Sequence, residues 1–198
     1  MNGSNSVAEG WSRPYTPPVA KLMTAEQFIE LPDDGHNYEL VHGRLVEVAP
    51  SGFSSAQIGL LIGAELINFV RPRRLGAVTV GEGGYILTRG PDTVRAPDAA
   101  FVRAEHVPQG ADRDFFVRYP PDLAVEVMSR MDRLRKLQAK CLEYLDAGVR
   151  LVWLVEPSHQ RLTVYLPDRA TRTLGITDTL DGGDVLPGFA LPLAEVFD

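Results

Sequence analysis

Apolar and polar positions alternate along this chain in two registers, one of period two and one of period 3.6. Near the start, Thr24 precedes Phe28, Ile29 and Leu31, which predicts a short helix with Thr24 as its N-cap. Residues 38–41 and 45–48 flank His42-Gly43, the pattern of a tight hairpin with Gly43 at positive φ. Ile58, Leu61, Ile62, Leu66 and Phe69 recur with helical spacing. They predict an amphipathic helix capped by Ser54 or Ser55 and ended by Arg71-Pro72. Residues 77–80 and 85–87 around Gly83-Gly84 predict a second hairpin, and 94–102 a strand that Pro97 makes irregular or places at an edge.

The clearest unit spans 122–156. Leu123, Val125 and Val127 alternate with Ala124, Glu126 and Met128, so a strand would carry Glu126 on the face opposite the valines. A helix over 133–147 follows, with Gly148 at its C-terminal cap. The unbroken apolar run 151–155 then predicts a strand covered on both faces. Strand, helix, strand with short links makes a crossover between parallel strands, and 161–166 pairs beside it. The Gly/Pro-rich remainder reads as loops. The expected class is mixed α/β around one sheet, with residues 23–198 as a single domain.

Residues 1–22, rich in Gly, Ser and Pro and holding the unexplained Trp11, read as a flexible tail, and Met23 is a plausible alternative start. Composition supports one globular domain: 198 residues, 44% hydrophobic and 23% charged. A single cysteine, Cys141, allows no intramolecular disulfide, and the first residues lack the apolar run of a secretory signal. No apolar stretch approaches the roughly 20 residues that span a bilayer, so no membrane partner is expected. These points together predict a cytoplasmic protein. Twenty basic residues against 26 acidic give a net charge of −6, which excludes a domain that coats nucleic acid through broad phosphate contacts. Local phosphate contact remains open, with Arg71, Arg73 and Arg74 as one basic cluster and Arg130, Arg133, Arg135 and Lys136 as another.

Three acidic residues stand in apolar surroundings: Glu39, Asp98 and Glu126. An unpaired carboxylate is costly to bury, and Mg²⁺, which takes one or two carboxylates plus waters, is one good partner. The plain alternative is a strand whose second face is solvated. In the helix after Glu126, Leu134, Leu137, Cys141, Tyr144 and Leu145 form one stripe. Lys140 lies roughly 90° from its centre, on the flank, and Lys136 roughly 130° away, towards solvent. A flank lysine can lay its stem along the core and present its ammonium near the carboxylates. The four histidines lack zinc-ligand spacing, and Gly81-Glu82-Gly83-Gly84 does not open a helix, so it reads as a turn.

The runs Tyr38-Glu39-Leu40-Val41-His42-Gly43, Arg95-Ala96-Pro97-Asp98-Ala99-Ala100-Phe101-Val102 and Pro121-Asp122-Leu123-Ala124-Val125-Glu126-Val127-Met128-Ser129 occur in this order. Lys140, Tyr144, Gly148-Val149 and 152–157 continue them. Together they resemble the Uma family of restriction-endonuclease-like proteins, within the PD-(D/E)XK nuclease superfamily, over residues 23–197. The resemblance implies a restriction-endonuclease-like core, a central mixed sheet flanked by helices, with extra N-terminal hairpins. It implies a Mg²⁺- or Mn²⁺-dependent endonuclease acting on DNA, with the metal held by Asp98 and Glu126. The lysine expected two residues after Glu126 is replaced by Met128, and Lys140 is the matching residue. Lys140 would orient the attacking water or balance the transition-state charge. Glu39 matches the family's upstream glutamate, which either contacts water on the metal or positions Lys140. Two rival readings stand beside this one: a catalytically inactive relative that binds nucleic acid or protein, and a structural homo-oligomer whose acidic cluster is an interface network.

Overall fold

A computed structural model describes residues 22–197; the expectations for the tail and Trp11 lie outside them. The first helix, α1 (Ala25–Ile29), is capped as its sequence predicts. The Thr24 hydroxyl accepts from Gln27 N–H and the Gln27 side chain accepts from Thr24 N–H, a reciprocal capping box. Strands β1 (Asn37–Val41) and β2 (Arg44–Val48) form the expected hairpin. His42 and Gly43 both take positive φ, 49° and 72°, which is what a two-residue turn needs to match strand twist.

Helix α2 (Phe53–Arg73) is longer than its apolar period suggests. Neither Ser54 nor Ser55 caps it; Gly52 holds the N-cap position, and the Ser55 hydroxyl instead donates to the Met128 carbonyl at 3.2 Å. Pro72 does not end it either. A proline removes its own N–H and crowds the turn before it, but Pro72 falls in the last turn, and the helix closes at Arg74 in the left-handed region. With 21 residues and a mean hydropathy of 1.4 over its most apolar window, α2 is long and apolar enough to cross a bilayer, contrary to the expectation. In the fold its Ile58, Ile62, Leu66 and Val70 are buried in the core.

That core lies against a six-stranded sheet of order β10-β9-β8-β7-β6-β3. Its members are β3 (Gly76–Val80), β6 (Ala99–Arg103), β7 (Leu123–Val127), β8 (Leu151–Glu156), β9 (Arg161–Tyr165) and β10 (Thr171–Gly175). Only β7 and β8 are parallel, joined through α3 (Leu134–Asp146). Strand alternation sorts the side chains. Ala99, Phe101, Leu123, Val125, Val127 and Trp153 pack with α2, while Ala100, Val102, Ala124, Val152 and Leu154 pack with Leu137, Cys141 and Tyr144 of α3. The central sheet, flanking helices and extra N-terminal strands give the mixed α/β architecture that the sequence suggested.

Two connections differ from expectation. Residues 77–80 and 85–87 do not form a hairpin: β3 pairs with β6, whereas β4 (Tyr85–Thr88) pairs with β5 (Thr93–Arg95) in a second sheet of order β2-β1-β5-β4. The glycines between them carry the chain from one sheet to the other. A Cβ on Gly84 would run into the Phe116 ring. The run 94–102 likewise splits at Pro97 into β5 and β6, one in each sheet. Asp98 thus stands at the junction of the two sheets.

The C-terminal residues are not loops. After β10 they form the pair β11 (Thr179–Gly182) and β12 (Leu186–Pro192), then α4 (Ala194–Phe197). Leu180, Leu186, Phe189, Leu191 and Leu193 are buried with the α2 side of the core. Phe189, Leu191 and Leu193 keep period two, a strand signal that the flanking glycines and prolines obscured.

Candidate active site

Glu126 lies in β7 opposite Leu154 of β8, one residue beyond the last β6 pair, Ala99 with Val125. Strand alternation turns its side chain to the α3 side, where it is buried rather than solvated. Lys140 and Tyr144, one helical turn apart on α3, both reach it. The Lys140 ammonium lies 2.8 Å from Oε1 and donates to Oε2 at 3.0 Å; the Tyr144 hydroxyl donates to Oε1 at 2.7 Å. Lys140 also contacts Oε1 of Glu39 at 2.9 Å, so its ammonium bridges carboxylates from two sheets. Arg95, on β5, donates to Oε2 of Glu39 at 2.6 Å and to Oε2 of Glu143, on α3, through Nε at 2.8 Å. The Ala96 N–H adds a bond of 3.2 Å to Oε1 of Glu39.

Asp98 stands at the junction between the sheets, and among the described residues it forms no ion pair with Lys140 or Arg95. Its Oδ2 accepts the Val127 N–H at 2.6 Å, which ties the carboxylate to the end of β7. Gly59 of α2 packs beside it; a Cβ there would stand 3.4 Å from that of Asp98. Glu39, Asp98, Glu126 and Lys140 all line one open cleft of about 1570 Å³ between the N-terminal hairpin and α3. Lys136 lines it as well, and is exposed. The arginines expected to contact phosphate do not line it. Arg130 and Arg133 are exposed in the β7–α3 connection, and Arg71, Arg73 and Arg74 lie at the C-terminal end of α2, the end opposite Ser55 and Gly59.

Burial sets the electrostatics. It pushes the Glu126 carboxyl up to about 7, helped by the Asp98 and Glu39 charges and opposed by Lys140. Asp98 is also raised, by burial first, against the pull of the Val127 N–H and Lys140. Glu39 behaves oppositely: burial would raise it, but Lys140 and Arg95 outweigh that and hold it below the ordinary 4.5. Burial disfavours the Lys140 charge, yet Glu126 and Glu39 keep the ammonium above its usual range. Among the described residues, Arg95 and Lys140 are the only Lys or Arg side chains paired with Glu39, Glu126 and Glu143, Asp98 pairs with neither, and no hydrogen bond reaches Asp98 Oδ1.

That surplus of negative oxygen suits a hard divalent cation. Among the described residues no three metal-binding side chains gather at one point. Mg²⁺ and Mn²⁺ accept as few as one or two carboxylates with waters completing the shell. Asp98 and Glu126, which line the same cleft, would supply two such carboxylates.

Arg95, Glu143 and Tyr144 belong to the polar network although the residue pattern did not single them out as functional. Arg95 had a visible signal, a charge in an apolar strand three residues before Asp98. Tyr144 had the four-residue spacing from Lys140, which a buried stripe explains equally well. Because Glu39 is held below 4.5, its ion pairs favour the folded chain above that pH and fade as the pH falls through and below it. Glu39→Gln should therefore cost about 2 kcal/mol at pH 7, the scale of lost charge-assisted hydrogen bonds. That amounts to roughly 6 °C in melting temperature. Melts from pH 7 to 3 should show the gap to wild type closing in acid; a gap constant with pH would contradict the assignment.

Comparison with known proteins bears on what this cleft is. The family model Uma2, "Putative restriction endonuclease", matches residues 25–194. A crystal structure of a "putative nuclease belonging to DUF820" from Anabaena variabilis superimposes with a TM-score of 0.77. It is 18% identical and the match covers 88% of this chain and 97% of that one, a likeness that shows a shared fold. No curated protein matches in sequence. The family match runs from α1 to α4, through every strand that carries the cleft, and the chain belongs to the Uma2 family of restriction-endonuclease-like proteins.

Proposed function

We propose that the protein is a metal-dependent endonuclease that hydrolyses DNA phosphodiester bonds, with Asp98 and Glu126 holding Mg²⁺ or Mn²⁺. The observation that carries this reading is the Lys140 ammonium, held between Glu126 and Glu39 in the cleft that Asp98 also lines. A bound divalent cation would make water a better nucleophile at neutral pH and stabilise charge growing on the phosphate oxygens. The chain's own residues do the rest. Lys140 presents a fixed positive charge to the scissile phosphate or the attacking water. Glu39 touches Lys140 directly, which favours positioning of that ammonium as its role. Arg95 holds Glu39 in place and ties it to α3 through Glu143.

The cleft wall makes the metal a condition for substrate binding. Ten carboxylates and three Lys or Arg side chains line it, so a bare polyanion is repelled. Wild-type protein should nick and linearise plasmid DNA with Mn²⁺ or Mg²⁺, and bind DNA only weakly when a chelator is present. The assay is gel electrophoresis of plasmid alongside fluorescence anisotropy of a labelled duplex, each with and without divalent cation. Absence of cleavage with any divalent metal would overturn the enzymatic reading in favour of a non-catalytic nuclease-fold module. Tight DNA binding in chelator would show that the contact surface lies outside this cleft.

A further inference from the structure

We infer that Tyr144 is a positioning residue that pins Oε1 of Glu126 and so leaves Oε2 as the oxygen offered to the metal; this rests on the metal-dependent reading above. The terminal torsion of a glutamate is broad and two-fold, so a carboxylate held by one flexible lysine can swing between equivalent positions. In this site it is held twice. The Tyr144 ring is fully buried among Leu137, Cys141 and Val152, and its hydroxyl donates to Oε1 at 2.7 Å. Lys140 also lies 2.8 Å from this oxygen, but the hydrogen bond it donates goes to Oε2. Each oxygen thus has one hydrogen-bond donor, Tyr144 on Oε1 and Lys140, at 3.0 Å, on Oε2.

The two oxygens are inequivalent because their donors differ in freedom. Lys140 has a second carboxylate, Glu39, 2.9 Å away, and can give up Oε2 while remaining paired. Tyr144 has no other partner among the described residues, and its ring is immobilised by the core. A cation arriving from the cleft therefore meets a carboxylate already oriented from behind. Groups that orient a metal's ligands in this way typically contribute 10- to 100-fold in metal affinity.

Tyr144→Phe removes one oxygen and keeps the ring, so the variant should melt cooperatively within a few degrees of wild type. Titration calorimetry with Mn²⁺ alone, in the absence of DNA, should show affinity reduced about tenfold with unchanged stoichiometry. In plasmid cleavage the Mn²⁺ concentration giving half-maximal rate should rise by about the same factor, with the wild-type rate restored at saturating Mn²⁺. A purely structural tyrosine would leave both metal readouts unmoved, and equal Mn²⁺ affinity in the two proteins overturns the inference. Wild-type protein that takes up no Mn²⁺ would instead overturn the metal-dependent reading itself, and this inference with it.

Discussion

Lys140→Met should slow DNA cleavage by about 10²-fold or more, the scale on which loss of one preorganised electrostatic donor acts on a transition state. Lys136→Met should slow it only modestly, and mainly at low salt, where an exposed charge on the cleft wall still steers phosphate. The structure sharpens this comparison. Both lysines line the cleft, but only Lys140 is anchored, between Glu126 and Glu39. Anchoring has a consequence for stability too. Methionine preserves the apolar stem yet leaves two buried carboxylates facing each other, so Glu126, already raised to about 7, takes up a proton and the melting temperature falls. Cleavage rates should therefore be compared well below the variant's melting point, at two ionic strengths with saturating Mn²⁺. Equal effects of the two substitutions would remove the special role assigned to Lys140.

Asp98→Asn should abolish Mn²⁺ binding and with it cleavage, while leaving the metal-free fold as stable as wild type or slightly more so. Two features argue for this separation. The bond that Asp98 makes is accepted from the Val127 N–H, and an asparagine carbonyl oxygen can accept it equally. The charge removed is one that burial already disfavours, as its raised pKa records. Calorimetric titration with Mn²⁺ and thermal melts in chelator measure the two halves independently. A loss of several kcal/mol of metal-free stability, the scale of a broken buried ion pair, would mark Asp98 as part of a structural network instead.

The carboxylates themselves were visible in the sequence because each breaks a pattern. Glu126 interrupts an otherwise apolar alternation, Asp98 follows a proline inside a strand-like run, and Glu39 stands between Tyr38 and Leu40. The flank position of Lys140 followed from helical angle alone, since a helix of known phase places every residue relative to its buried stripe. Arg95 and Glu143 were not recoverable in the same way. Their meaning lies in a contact between β5 and α3 across 48 positions, and neither segment's periodicity contains the other.

Local periodicity thus determined most of the elements: the capped first helix, the turn at His42-Gly43, the phase of β7 and the parallel pair joined through α3. Each depends on forces that act within a few residues, such as capping, turn geometry and the alternation of side chains across a strand. Which strands become partners was decided only in the folded chain. The segments on either side of Gly83-Gly84 carry the same local signature whether they pair with each other or, as here, with β6 and β5 in separate sheets. The C-terminal strands became legible only once the α2 face offered apolar surface for Phe189, Leu191 and Leu193 to cover. The charge state of the cleft was decided at the same level. Whether a glutamate is solvated or sits near pKa 7 depends on desolvation by layers that approach from α3, β1 and the sheet junction, and burial of that kind is a property of the assembled fold.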